Sequence, residues 1–168
     1  MFNKITILLI FIGITMSLNA QNQLPKREQI DKKYKWNLDE IFYSIEAWGK
    51  EYSQIEAEIP KITEYKGKLK TSGKNLYSCL NLITKLGERF SRLSIYASLG
   101  RDADLNNQNF QILSNKIQKL SSDFAAASAF VNPEILQIPE KSLNKFYKEE
   151  PKLLEYKQSI NSILLSKG

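Results

Sequence analysis

Phe110, Leu113, Ile117, Leu120, Phe124, Ala127 and Val131 recur at steps of three and four. That spacing gathers seven apolar side chains on one face of an α-helix and would scatter them over both faces of a strand. The same stepping joins Trp48, Tyr52, Ile55, Ile59 and Ile62, and again Leu76, Leu80, Ile83, Leu86, Phe90, Leu93 and Ala97. A shorter set, Leu153, Tyr156, Ile160, Ile163 and Leu164, closes the chain. No segment alternates apolar and polar residues as a half-buried strand does. Seven Gly and five Pro in 168 residues are also few for a turn-rich β protein. The expected fold is all-α: an antiparallel helical bundle, or helical hairpins, of about four to six helices with short connections.

Local signals place the ends. Ser44 and Ser72 are N-cap residue types ahead of two apolar stripes. Pro60 falls inside the first stripe and predicts a kink or split near Ile59. Gly67 is a C-terminal stop. The second long helix is expected to end near Gly100, with Arg101–Asn107 forming a capped turn. Asn132-Pro133 predicts a break after the third helix, because proline disfavours helix at the residue before it. Residues 133–140 then form a short connection, Lys141–Lys148 a short helix, and Pro151 suits the first turn of the last helix.

The start of the chain has another character. One positive charge in Met1–Lys4, a fourteen-residue apolar run over Ile5–Leu18 and a small residue at Ala20 match a signal peptide over 1–20. The run is short for a membrane span, which needs about 20 residues; a retained N-terminal anchor is the alternative. The expected location is periplasmic or extracellular. Residues 21–43 are a polar, extended leader with one short turn, where Asn37 and Glu40 have the spacing of a capping box. Trp36, Leu38, Ile41 and Phe42 are expected to tuck the leader onto the first long helix. Residues 44–168 are the helical domain.

The chain holds no His and one Cys, Cys79. Ser-His-Asp and Cys-His catalysis and His-containing zinc sites are therefore absent from it, and no intramolecular disulfide can form. Cys79 lies on an apolar stripe and reads as a small buried hydrophobe. Asp102 and Asp104 read as turn and capping residues, since the remaining ligands of a calcium loop are missing. No carboxylate pair stands out for acid–base work, and no Gly-rich phosphate loop occurs. The formal charge of +6 is spread among interleaved acids without a recognition motif, which argues against a nucleic-acid partner. No catalytic, cofactor-binding or metal-ligating residue is assigned in this chain.

The order of several landmarks carries a resemblance. "KYKWNLDEIF" (Lys33–Phe42) and "EAWGKEY" (Glu46–Tyr52) are followed by "EYKGKL" (Glu64–Leu69) and "RLSIYASLGRDAD" (Arg92–Asp104). "AFVNPEILQIPEKSLNKF" (Ala129–Phe146) and "LLEYKQSINSIL" (Leu153–Leu164) come next. Together they resemble the N-terminal helical region of the oligoendopeptidase F family, thimet oligopeptidase-like zinc metallopeptidases. The resemblance implies a lobe that covers one side of a substrate channel and restricts it to short peptides. It places the zinc site elsewhere, in a His-Glu-x-x-His motif downstream of anything present here, so zinc belongs to the full-length family and not to this chain. The implied partners are the missing catalytic lobe of the same peptidase or short peptides. A truncated or split gene is the expected origin, and a free-standing helical peptide-binding or interaction module without catalysis is the alternative.

Overall fold

The computed structural model describes residues 29–166. The signal-peptide reading of 1–20 and the first part of the leader lie outside the described residues. Two compact units divide the chain after Lys35. In the first, Asp31 caps a single 3-10 turn, Lys32–Tyr34, by accepting the Lys33 N–H at 3.1 Å.

The second unit is helical throughout, with no strand among the described residues. Its α-helices are α1 Ile45–Glu58, α2 Pro60–Thr63, α3 Gly73–Ala103, α4 Gln108–Ser128, α5 Val131–Leu136, α6 Glu140–Glu149 and α7 Lys157–Leu165. Two 3-10 segments, Leu38–Glu40 and Pro151–Tyr156, precede α1 and α7. The caps fall where the sequence put them. The Ser44 hydroxyl accepts from the Ala47 N–H at 3.1 Å, and the Ser72 hydroxyl from the Asn75 N–H at 3.2 Å. Pro60 occupies the first position of α2, where its missing N–H costs nothing.

Helix α3 is the spine. Trp48 of α1 reaches Leu93, while Glu51, Gln54 and Glu58 reach back to Arg89, so α1 runs antiparallel to α3. Phe90 stacks with Phe124 and Tyr96 meets Phe110, so α4 is antiparallel to α3 as well. Lys116 lies over the Tyr52 ring and Lys119 pairs with Glu56, which sets α1 and α4 side by side and parallel. The N-terminal half of α3 meets the chain's last elements: Gly73 touches Phe146, and Tyr77 packs edge-on to Tyr156. The core threads all of these, with Trp48, Ile55, Leu93, Leu120, Ile135, Leu153 and Ile160 fully buried.

Six expectations change in detail. Trp36 is not an anchor: it is 64% exposed. Leu38, Ile41 and Phe42 do pack on the core, but against α3 rather than α1, through an edge-on contact of Phe42 with Tyr96 and a bond from Arg92 to the Ile41 carbonyl at 3.1 Å. Asn37 and Glu40 do not form a capping box; their side chains bond each other at 2.8 Å, leaving no side-chain cap on the turn. Helix α3 continues past Gly100 to Ala103, so the turn shrinks to Asp104–Asn107. The break before Pro133 comes earlier, at Ala129–Phe130, and Pro133 sits in the first turn of α5 rather than in an irregular link. The last helix opens as a 3-10 segment from Pro151 before becoming α-helical at Lys157.

Removing an exposed side chain leaves no cavity. Trp36→Ala is therefore expected to change unfolding free energy by no more than about 0.5 kcal/mol. Urea denaturation checks this, and a loss of about 2 kcal/mol or more, the cost of a buried side chain, would restore the anchor.

Candidate functional site: a belt of clefts across the C-terminal helices

Several carboxylates serve the structure. Glu51 and Glu58 both accept from Arg89, at 2.6 and 2.8 Å, and tie α1 to α3. Glu56 and Asp123 share Lys119, each at 2.8 Å, and hold its ammonium well above the usual lysine range. Asp104 accepts the Asn106 N–H at 3.0 Å as a turn residue, and Asp102 lies beside Arg101. No group of three His, Cys, Asp or Glu side chains able to hold a metal occurs among the described residues. The described residues do not fit a zinc ion.

Cys79 is fully buried on α3, and burial together with the nearby Glu134 carboxylate pushes its thiol up to about 12. A thiol held neutral and out of solvent is a poor nucleophile. The folded protein is expected to resist iodoacetamide at neutral pH and to take up one equivalent in urea. Fast alkylation of the folded chain would contradict this packing.

What the fold leaves open is concave surface at its C-terminal side. A cleft of about 510 Å³ runs between α5, α6 and α7, floored by Leu136, Ile138, Leu143 and Leu164 and edged by Asn144 and Asn161. Tyr147 lines it too; its hydroxyl is buried without a hydrogen-bond partner, and the Lys157 ammonium lies 5.9 Å from its ring centre. Burial raises the Tyr147 hydroxyl above the ordinary tyrosine value, so it stays a neutral donor. A second cleft, along α6, shares Glu140 and Asn144 with the first. A third, on the outer side of α7, shares Lys157 and Asn161 and ends at the exposed Leu154 and Leu165. The three adjoin through these shared residues as one belt: the central cleft is floored by apolar side chains, the one along α6 is lined by polar and charged side chains, and the one on α7 is mixed. It can hold extended polypeptide or the side chains of a packed surface.

Sequence reasoning assigned no residue to this belt. Its apolar members, Leu143 and Leu164, sit on ordinary helical stripes, and nothing in spacing separates a floor residue from a core residue.

Comparison with known proteins gives the belt a context. No family model matches the chain. Oligopeptidase PepF of Bacillus subtilis is 40% identical over 152 residues, covering 90% of this chain and 23% of that protein. Group B oligopeptidase PepB of Streptococcus agalactiae is 28% identical over 141 residues, covering 84% of this chain and 24% of its own length. The crystal structure of oligoendopeptidase-F from Enterococcus faecium superposes with a TM-score of 0.64 at 25% identity, over 76% of this chain and 23% of that one. The similarity thus covers nearly all of this chain and a single portion of each relative. By shared sequence and shared helical fold, the chain belongs to the oligoendopeptidase F family, spanning about a quarter of the length of the relatives it matches.

Proposed function

We propose that this helical segment is the channel-covering lobe of an exported oligoendopeptidase F-like zinc metallopeptidase, working on short peptides only together with a catalytic portion that supplies the metal. The observation that carries this reading is the 40% identity to a protein named as an oligopeptidase, confined to 23% of that protein. The belt supports it. The apolar-floored central cleft between α5, α6 and α7 suits either the remainder of the peptidase or the substrate it admits. The zinc and its water-activating chemistry would come from residues outside this chain, since no group of three His, Cys, Asp or Glu able to hold a metal occurs among the described residues.

The test is assembly. The purified chain is mixed with the B. subtilis relative lacking its matching segment, and complex formation is followed by size-exclusion chromatography. Co-elution at micromolar concentration, abolished by Leu154→Asp with Leu165→Asp, both exposed on the belt, is the expected result. Independent elution of both pieces would count against the lobe reading.

A free-standing peptide-binding module is the second reading. One feature favours it: the core is complete, with Trp48, Leu120, Ile135 and Ile160 buried to 0% exposure by this chain's own residues. That reading calls for saturable binding of an unstructured peptide to the belt without any catalytic partner.

A further inference from the structure

The strongest local charge imbalance lies away from the belt, at the turn between α2 and α3. Residues 61–74 hold five lysines, Lys61, Lys66, Lys68, Lys70 and Lys74, against Glu64 alone, a formal +4 out of the chain's +6. All five are exposed, and none forms an ion pair among the described residues. Long lysines scattered by a floppy loop would mean little. This turn is pinned. Gly67 adopts a φ of +79°, open to glycine at no steric cost. Its N–H donates to one oxygen of Glu134 at 2.5 Å, and the Leu69 N–H donates to the other at 3.3 Å. Leu69 is fully buried beneath. With Leu69 driven inward and Gly67 clamped, the lysines at 66, 68 and 70 are held outward at every second position. The Glu134 charge is spent on those two amides and lowers the local balance by one.

We propose that this lysine turn is a peripheral docking surface for an anionic lipid membrane. The reasons are the chemistry present and the shape. None of the three clefts is lined by these lysines. No large hydrophobic residue in 60–74 is exposed, so the turn offers neither a wedge for base stacking nor an apolar anchor for a protein partner. The stretch contains no arginine, the residue suited to forked phosphate recognition. A run of exposed ammonium point charges matches a surface whose own charges can move to meet it, as headgroups do. Binding of this kind is additive in lysines and sensitive to salt. The proposal rests on the turn alone and is independent of the peptidase reading.

Co-sedimentation with vesicles tests it. Full-length chain without its first 20 residues is compared on phosphatidylcholine vesicles with and without about a third phosphatidylglycerol. Binding is expected only with the anionic lipid and is lost as salt is raised toward 0.5 M. Each lysine near such a surface is worth about five-fold, so Lys68→Gln with Lys70→Gln is expected to weaken partitioning about 25-fold. Lys50→Gln with Lys85→Gln makes the same change in net charge elsewhere on the surface and is expected to weaken it less than about three-fold. Equal losses in the two variants would overturn the proposal, leaving only a net-charge effect. So would absence of binding at low salt, or tighter retention by a single-stranded oligonucleotide of matching charge. Thermal melts of all variants separate these outcomes from unfolding.

Discussion

Trp48→Ala is expected to lower the unfolding free energy by about 3–5 kcal/mol. The indole is fully buried between α1 and α3, stacks on Tyr52 with ring centres 5.4 Å apart, and donates from Nε1 to the Leu93 carbonyl at 2.9 Å. Three losses coincide: the transfer energy of a large aromatic, the unfilled cavity, and a hydrogen bond made inside an apolar layer. Leu93 lies inside α3, so its carbonyl keeps its helical bond and is not orphaned; most of the cost is therefore packing. Trp48→Phe separates the terms. It retains a ring and gives up the N–H, and is expected to cost about half as much or less, since one buried hydrogen bond is worth about 1 kcal/mol. Urea midpoints at constant slope give both values. A cost below about 1 kcal/mol for Trp48→Ala, typical of an average substitution, would mean that α1 does not pack on α3 as described.

Gly100→Ala is the second. On helix propensity alone, alanine in a helix interior should stabilise by about 1 kcal/mol. At Gly100 the added Cβ would lie 2.0–2.4 Å from the Phe110 ring, where α4 begins its return along α3. The ring cannot yield freely, since it packs against Tyr96 at 5.6 Å. Overpacking of this kind costs about 1–3 kcal/mol and outweighs the propensity gain. Gly87, in the same helix, has open space around its Cβ position and serves as the control. Gly87→Ala is expected to stabilise while Gly100→Ala destabilises. Phe110→Leu should recover part of the loss in the double variant, a coupling that two independent sites would not show. Matching gains at both glycines would mean that the α3–α4 hairpin is looser at this end.

The same residues explain which parts of the fold the sequence discloses. Trp48 belongs to a five-member stripe with Tyr52, Ile55, Ile59 and Ile62, and all five prove buried. Periodicity reports a shared face, and a shared apolar face must be covered. Trp36 has no stripe. Its burial depends on the path the chain takes into Leu38–Glu40, and that path is fixed by where Phe42 meets Tyr96, a contact 54 positions away in sequence. Gly100 is ambiguous for a different reason: a glycine near a helix end serves equally as a stop or as room for a neighbour, and only the position of Phe110 decides. Pro133 is read as a breaker because a proline in the first turn and a proline after the last turn look alike in a sequence rich in helix formers on both sides. Glu134 gave no signal at all, yet it links α5 to the Gly67 turn through two backbone amides. The belt over α5–α7 was equally silent, since concavity arises from how helices diverge rather than from which residues they carry.

The lobe reading makes its sharpest demand on a chimera. Residues 36–166 of this chain replace the matching segment of the B. subtilis relative, and zinc-dependent hydrolysis of a quenched short peptide is measured beside that of an unfolded protein substrate. Recovery of short-peptide turnover well above the segment-deleted enzyme, with the long substrate still refused, is the predicted result. A chimera that folds yet cleaves no faster than the deletion, or that accepts long and short substrates alike, would contradict it.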